Sequence, residues 1–455
     1  MEIQVERLRQ ALELVSSAIP KGKVTLPITT SVLFKEGKLT ATNLELWVSV
    51  DVSQLQTGRT GFVLPHRALT EALKFIPGRQ TLTITSDRQR VLLESAGSRT
   101  TLIKPGLPRD FPPMPQPAGS MGADGFVVDG DRLVQGLLSV LPYVATKDTR
   151  PVLTGVAMKL GQDLELVAAD GFRLAIEQPG IPLTGNGTGH MAIVPGPTVH
   201  ALGLLWKKGD KPPDLDAARA AGQTANSGSI EIANLAVARR NLRMVEDGGH
   251  ISFSFGSIRL TSQLLQGQFP HYQDLVPETA GGRRVSVSAD ELARVVNQVA
   301  EIAGAGSNMA RLRWSGGHLT VSAQASDVGE TEATIPAHVE GGEGEIAFNL
   351  RYLRDYLRGK THVVTISTVP GDPDQVRGKP GVFTHRGGPM IIMMPMFAAP
   401  SESSSEPFDS AQESPVEPTP ETPTESATEE PAPATDDNEG PDLPAEAGSE
   451  APEEG

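Results

Sequence analysis

The chain of 455 residues contains no cysteine. That absence excludes a disulfide scaffold, a thiolate zinc site and a cysteine nucleophile, and it fits a reducing, cytoplasmic setting. Long apolar runs are missing too. The most apolar stretch, Met390 to Phe397, is interrupted by Pro395 and falls far short of the roughly 20 residues a membrane helix needs. It is expected to be a buried strand, and no membrane span is expected. Met1-Glu2-Ile3-Gln4 is not a basic segment leading into an apolar one, so no signal peptide is expected. The nine histidines are scattered, with no His-x-x-x-His pair and no His/carboxylate cluster at metal spacing. Neither a Gly-x-x-x-x-Gly-Lys-Ser/Thr loop nor a Gly-x-Ser-x-Gly elbow occurs. Gly185-Asn186-Gly187-Thr188-Gly189 lacks the lysine a phosphate loop needs and reads as a flexible loop. These absences argue against an enzyme, and no catalytic residue, metal site or cofactor is assigned.

Positive charge is absent from one end. Ala398 to Gly455 holds 17 Asp/Glu and 11 Pro but no Lys or Arg, and its one aromatic is Phe408. The other 397 residues carry 38 acidic and 40 basic side chains, so the net −15 divides into a body near +2 and a tail of −17. Such a segment cannot bury enough apolar surface to offset its chain entropy, and self-repulsion and proline extend it. Residues 398–455 are expected to be a disordered, acidic, Pro-rich tail whose simplest role is to keep the chain soluble.

The body repeats an amphipathic pattern three times. Ile3, Leu8, Leu12 and Val15 recur as Val128, Leu133, Leu137 and Val140, and again as Val287, Leu292, Val296 and Val299. The i, i+4, i+7 part of each set is one stripe of a helix. Asp131 and Asp290 stand just before two of these helices, where a carboxylate suits the N-terminus. Each helix is followed by two alternating runs, 31–34 with 38–43, 154–158 with 165–170, and 311–314 with 320–325, which read as half-buried antiparallel strands. A second helix then follows, His66 to Phe75, Thr198 to Trp206 and Leu350 to Arg358, and more strands close each copy. Leu107-Pro108-Arg109-Asp110-Phe111-Pro112 and Gln266-Gly267-Gln268-Phe269-Pro270 end the first two copies in related phrases. Pro-, Gly- and Ala-rich linkers place the boundaries near 122 and 281. The fold class is therefore α+β, with domains over 1–122, 123–281 and 282–397 and the tail over 398–455. The second copy is longer, and a surface insertion at about 208–235 accounts for it.

Four phrases in order make this pattern specific. Thr149-Arg150-Pro151-Val152-Leu153-Thr154-Gly155, Ala169-Asp170-Gly171-Phe172-Arg173-Leu174-Ala175, Gly267-Gln268-Phe269-Pro270-His271-Tyr272 and Met394-Pro395-Met396 resemble the signature phrases of the bacterial DNA sliding clamps, the β subunits of the replicative DNA polymerase III. The resemblance spans 1–397 apart from the insertion, and the tail has no counterpart in the family's usual pattern. It implies three tandem clamp domains per protomer and a head-to-tail homodimer that closes a ring, with helices lining the hole. Such a protein is a non-catalytic processivity factor. It encircles double-stranded DNA without reading sequence and tethers the replicative polymerase, an ATP-dependent clamp loader, repair polymerases and mismatch-repair proteins. A clamp paralogue with a specialised repair or resistance role is the nearest alternative. A multi-domain scaffold that never encircles DNA is another.

Two sets of site residues follow from the resemblance. The family binds short extended peptides, roughly Gln-Leu-x-Leu-Phe, in an apolar cleft between the second and third domains. The matching positions are Leu153, Gly171, Phe172, Arg173, Leu174, Pro270, Leu275, Ile392, Met394 and Met396. Phe172 replaces a more usual His, Asp274 stands where a base is common, and Phe397 where Arg or Lys is common, which makes the rim less positive and more aromatic. A sliding ring also needs cations toward the phosphates. Arg351, Arg354 and Arg358 fall within about 60° of one another on a helix, with Leu350, Leu353 and Leu357 as a separate stripe. Arg67 and Lys74 are placed similarly, with Glu71 between them, and Lys23 and Lys147 match loop positions that approach DNA in the family. Gly196 and Pro197 stand where a basic pair is common. The tail polyanion would compete with DNA for these cations or lie across the peptide cleft, so its deletion at 398 is expected to tighten peptide or DNA binding.

Overall fold

The structure, a computed structural model of the chain, describes residues 1–53, 61–117, 125–146, 150–183, 189–209, 241–371 and 378–397. Met1–Ala399 is one compact unit; of the second, Pro400–Gly455, no residue is among those described. The insertion beyond Gly209, the stretch 184–188, Lys147 and the acidic tail also fall outside them.

The three apolar stripes form the helices Val5–Val15, Gly130–Val140 and Ala289–Gln298. Val5, Leu8, Leu12 and Val15 are buried in the first, Leu133, Leu137 and Val140 in the second, and Leu292 and Val296 in the third. Asp131 and Asp290 are not ahead of their helices but in the first turn. The cap position needs extended backbone, which Asp129 (ψ 108) and Ser288 (ψ 129) supply, and their side chains accept the free N–H groups of Asp131, Arg132 and Glu291. The partner helices are His66–Leu73, Gly196–Lys208 and Leu350–Leu357, each packed against the first helix of its copy. The first of these ends before the expected Phe75, whose ring is 84% exposed and lies just ahead of Pro77.

Among the described residues the first two copies each contribute eight strands in two four-stranded groups, and the third adds a ninth, His338–Glu340, at the end of one group. In the first copy the strands Glu2–Gln4, Thr81–Ser86, Arg90–Ser95 and Ser98–Ile103 make one sheet, in that order. Phe62–Pro65, Ser31–Lys35, Lys38–Thr42 and Leu46–Asp51 make the other. The second group does not stop there. Leu46–Asp51 pairs antiparallel with Ile258–Gln263, the last strand of the second copy, to give an eight-stranded sheet. The same operation joins Arg173–Glu177 of the second copy to Met390–Met393 of the third, within a nine-stranded sheet. The segment from Met390 is thus a strand only to Met393. Met394 (46%) and Phe397 (64%) are exposed, contrary to a buried strand reaching Phe397, because Pro395 cannot donate to a ladder.

Two smaller apolar clusters stand apart from the main core. Ile28, Val63 and Phe111 form the first, over the turn Pro27–Thr30. Leu153, Leu174, Phe269 and Ile392 belong to the larger second one, over the turn Pro151–Thr154. The related closing phrases of the first two copies each bury a phenylalanine, Phe111 in the first cluster and Phe269 in the second.

In the third copy Lys360 lies over the Tyr356 ring at 4.5 Å, and that ring meets His385 edge-on at 5.9 Å. Burial, then the Lys360 charge, lowers the His385 pKa from 6.5 to about 4. The folded chain therefore takes up this proton at lower pH than the unfolded chain. Its contribution is complete above pH 6.5 and is lost as pH falls through 4. Thermal melts between these limits are expected to show a falling Tm, with a shallower fall in His385→Gln.

Candidate functional site

The second seam places the expected pocket residues. Leu174 lies directly across the ladder from Ile392, and Arg173 from Met393. Leu153 covers them from the turn before its strand, with Phe269 and Tyr272 beside it. Leu153, Leu174 and Ile392 are 4% exposed and form the floor. Asp170-Gly171 makes the turn into the seam strand, with Gly171 at φ +94, a conformation that favours glycine. The Asp170 carboxylate accepts the N–H groups of Phe172 and Arg173, both at 3.0 Å. The turn therefore sends successive side chains opposite ways: Phe172 is 62% exposed and Arg173 only 8%.

Arg173 ties the two copies together. Its Nε donates to Asp170 at 2.9 Å, and its Nη1 lies 3.2 Å from Asp355 on the helix Leu350–Leu357. Its Nη2 donates to the Pro142 carbonyl at 3.1 Å. The guanidinium stacks over Tyr143 at 5.0 Å and Tyr352 at 4.5 Å. The Tyr352 ring also faces Phe172, with centroids 6.2 Å apart. Met394 donates its N–H to the Phe172 carbonyl at 2.9 Å, which holds Met394 beside Phe172 at the open edge of the seam.

Pro270 and Leu275 lie on the loop after Phe269 and are exposed, Leu275 by 56%. Met396 is placed differently from the expectation. Its N–H donates to the Ala347 carbonyl at 2.8 Å, and with Pro395 and Phe397 it lines a separate cavity of about 510 Å³. The turn of the chain at Pro395 carries it there. Asp355 and Tyr352 were not foreseen as neighbours of Arg173. They belong to a helix read for its cations, and only the seam brings that helix to the pocket.

The proposed cations are all solvent-facing where they are described. Arg351 and Arg354 are exposed on their helix while Leu350, Leu353 and Leu357 are buried. Arg358, just beyond the helix, is 3.6 Å from Asp355. Arg67 is exposed, Lys74 lies 3.7 Å from Glu71 and 5.6 Å from the Phe75 ring centre, and Lys23 is exposed in a loop. Lys147 lies outside the described residues.

Comparison with known proteins agrees with this architecture. Two family profiles match in sequence order: "DNA polymerase III beta subunit, central domain" over 137–271 and "DNA polymerase III beta subunit, C-terminal domain" over 274–365. The chain belongs to the bacterial sliding-clamp family. The beta sliding clamp of Synechococcus elongatus is 28% identical over 361 residues, covering 77% of this chain and 87% of that protein. That of Pseudomonas aeruginosa is 27% identical over 362 residues, covering 78% and 89%. The crystal structure of the DNA polymerase III subunit beta from Pseudomonas aeruginosa superposes with a TM-score of 0.71 at 23% identity, over 87% of this chain and 99% of the other. That from Thermotoga maritima gives 0.70 at 22%, over 88% and 99%. These solved clamps share the fold of this chain. Among the described residues no helix is long and apolar enough to cross a membrane.

Proposed function

We propose that this chain is a DNA polymerase processivity factor that acts as a closed ring of two copies. One observation carries the reading: among the described residues the internal symmetry leaves two matching strand edges unpaired. At each seam the fourth strand of one copy pairs with the last strand of the next. The fourth strand of the third copy, Gly329–Pro336, and the last strand of the first, Ser98–Ile103, are sheet edges. Exposed edges of this length are templates for pairing with another chain. A second protomer, placed head to tail, supplies both missing seams, and six copies then close a ring. Ile103 is 71% exposed on one edge and Val328 58% beside the other, while Glu330 and Glu332 are exposed on the acidic side.

Within such a ring the helix faces bearing Arg67, Arg351 and Arg354 turn toward duplex DNA, with Lys23, Lys74, Lys147 and Arg358 as flanking cations. Contacts of this kind hold phosphates without reading bases and weaken steeply with salt. The seam pocket of Leu153, Gly171, Phe172, Arg173, Leu174, Pro270, Leu275, Ile392 and Met394 takes an apolar peptide from the replicative polymerase, the ATP-dependent loader, repair polymerases and mismatch-repair proteins. Met394 suits varied partners because its flexible side chain repacks at little cost. The chain then works in the cytoplasm as a non-catalytic subunit, with domains over 1–122, 123–281 and 282–397.

Sedimentation tests ring closure. Ile103→Asp removes an exposed apolar side chain and sets a carboxylate toward Glu330 and Glu332, and it is expected to weaken dimerisation by roughly thirtyfold, about 2 kcal/mol. An unchanged dimer would reject this edge as the interface.

A further inference from the structure

The chain leaves the peptide pocket at Met394 and enters the second cavity at Met396. Two residues of extended chain span about 7 Å, so the two sites are adjacent. Four cations line this cavity, and three of them, Arg283, Arg313 and Lys379, make no ion pair with a described residue. Arg311, by contrast, is held by Glu345 at 3.4 Å. Trp314 also lines the cavity; its side chain is wholly buried and its Nε1 has no hydrogen-bond partner among the described residues. Gly344 packs on that indole: a Cβ there would lie 2.3 Å from the ring and 2.9 Å from Nε1. The remaining wall is apolar at Met396 and Phe397.

We propose that this cavity binds acidic side chains of the same partner segment whose apolar residues occupy the seam pocket, an inference that rests on the peptide-binding reading above. Among the described lining residues four cations outnumber two carboxylates; such an excess around a concavity favours an anionic occupant, and complementary charge adds specificity to an apolar anchor. Carboxylates on a peptide fit better than a run of phosphates. Glu343 and Glu345 stand on the same wall and repel a polyanion, while Met396 and Phe397 offer surface that only a partly apolar ligand covers. Because the cavity adjoins the pocket, one extended segment reaches both.

Fluorescence anisotropy on the full chain tests this with two labelled peptides. Both carry a Gln-Leu-Ser-Leu-Phe core; one is flanked on both sides by Glu and Asp, the other by Ser and Gly. Both meet the same chain, so its net charge of −15 is common to the comparison. The acidic peptide is expected to bind about tenfold more tightly, with the advantage shrinking as salt rises. Arg313→Ala/Lys379→Ala removes two exposed side chains and is expected to abolish the advantage while leaving the neutral peptide unaffected. Equal affinity of the two peptides, or an advantage that survives in that variant, would overturn the proposal and leave the pocket reading intact. Equal peptides together with a single-stranded oligothymidine that binds the chain and loses affinity in the variant would overturn it in favour of nucleic acid. Failure of both peptides to bind would overturn the pocket reading and this inference with it.

Discussion

Met394→Lys is expected to abolish capture of a Gln-Leu-Ser-Leu-Phe peptide without disturbing the fold. Met394 stands at the open edge of the seam, 46% exposed, held there by its own N–H bond to Phe172. A lysine keeps that backbone bond and its ammonium reaches solvent in the free chain, so melting should change little. In the complex the ammonium meets the peptide's apolar side chain and must be buried or displace it. Burying an unpaired charge or losing the apolar anchor costs about 3 kcal/mol or more, at least roughly a hundredfold in Kd. Anisotropy with the labelled peptide reads this directly, and near-normal affinity in the variant would remove Met394 from the pocket.

Arg173→Ala is expected to have the largest effect on both stability and peptide binding. The guanidinium stands between Asp170 and Asp355, and the three side chains are 7%, 12% and 25% exposed. Removing it leaves two carboxylates near one another with little solvent, and the loss of one partner of such a group costs about 3–5 kcal/mol. The cavity left between Tyr143 and Tyr352 adds to the loss. Asp170 also organises the turn that presents Phe172, so peptide affinity should fall with stability. Arg173→Lys keeps the charge but not the planar fork, and is expected to recover only part of each. Thermal melts and peptide titration on the same samples check the pair. A full-affinity Arg173→Ala would mean that the turn holds its shape without the cation.

The parts of this structure that were legible in the sequence are the periodic ones. Leu8, Leu12 and Val15, like Leu133, Leu137 and Val140, declare a buried helix face because the helical period leaves no other use for that spacing. The alternating runs at 38–43 and 165–170 read as strands for the same reason. What could not be read was set by long-range pairing. Nothing near Arg173 announces Asp355, which reaches it only because Leu174 meets Ile392 across the seam. Pro395 ended a run whose composition promised a continuous strand, and so sent Met396 to the basic cavity. Asp131 and Asp290 suit a helix N-terminus by charge, but the cap itself is a backbone conformation, and Asp129 and Ser288 adopt it. Three of the four signature phrases meet at the second seam, where Leu153, Leu174 and Phe269 pack in one cluster with Ile392. The turn into that seam carries Gly171 at positive φ.

The central claim is topological: two copies of this chain close around duplex DNA. The most direct measurement loads the protein on a nicked circular plasmid, passes the mixture through a sizing column in salt high enough to suppress simple phosphate contacts, and repeats this after the plasmid is cut once. A closed ring stays with the circle and slides off the linear form, and Ile103→Asp is retained by neither. Equal retention on circular and linear DNA would contradict the account, because binding that ignores DNA ends is adhesion to phosphates and not encirclement.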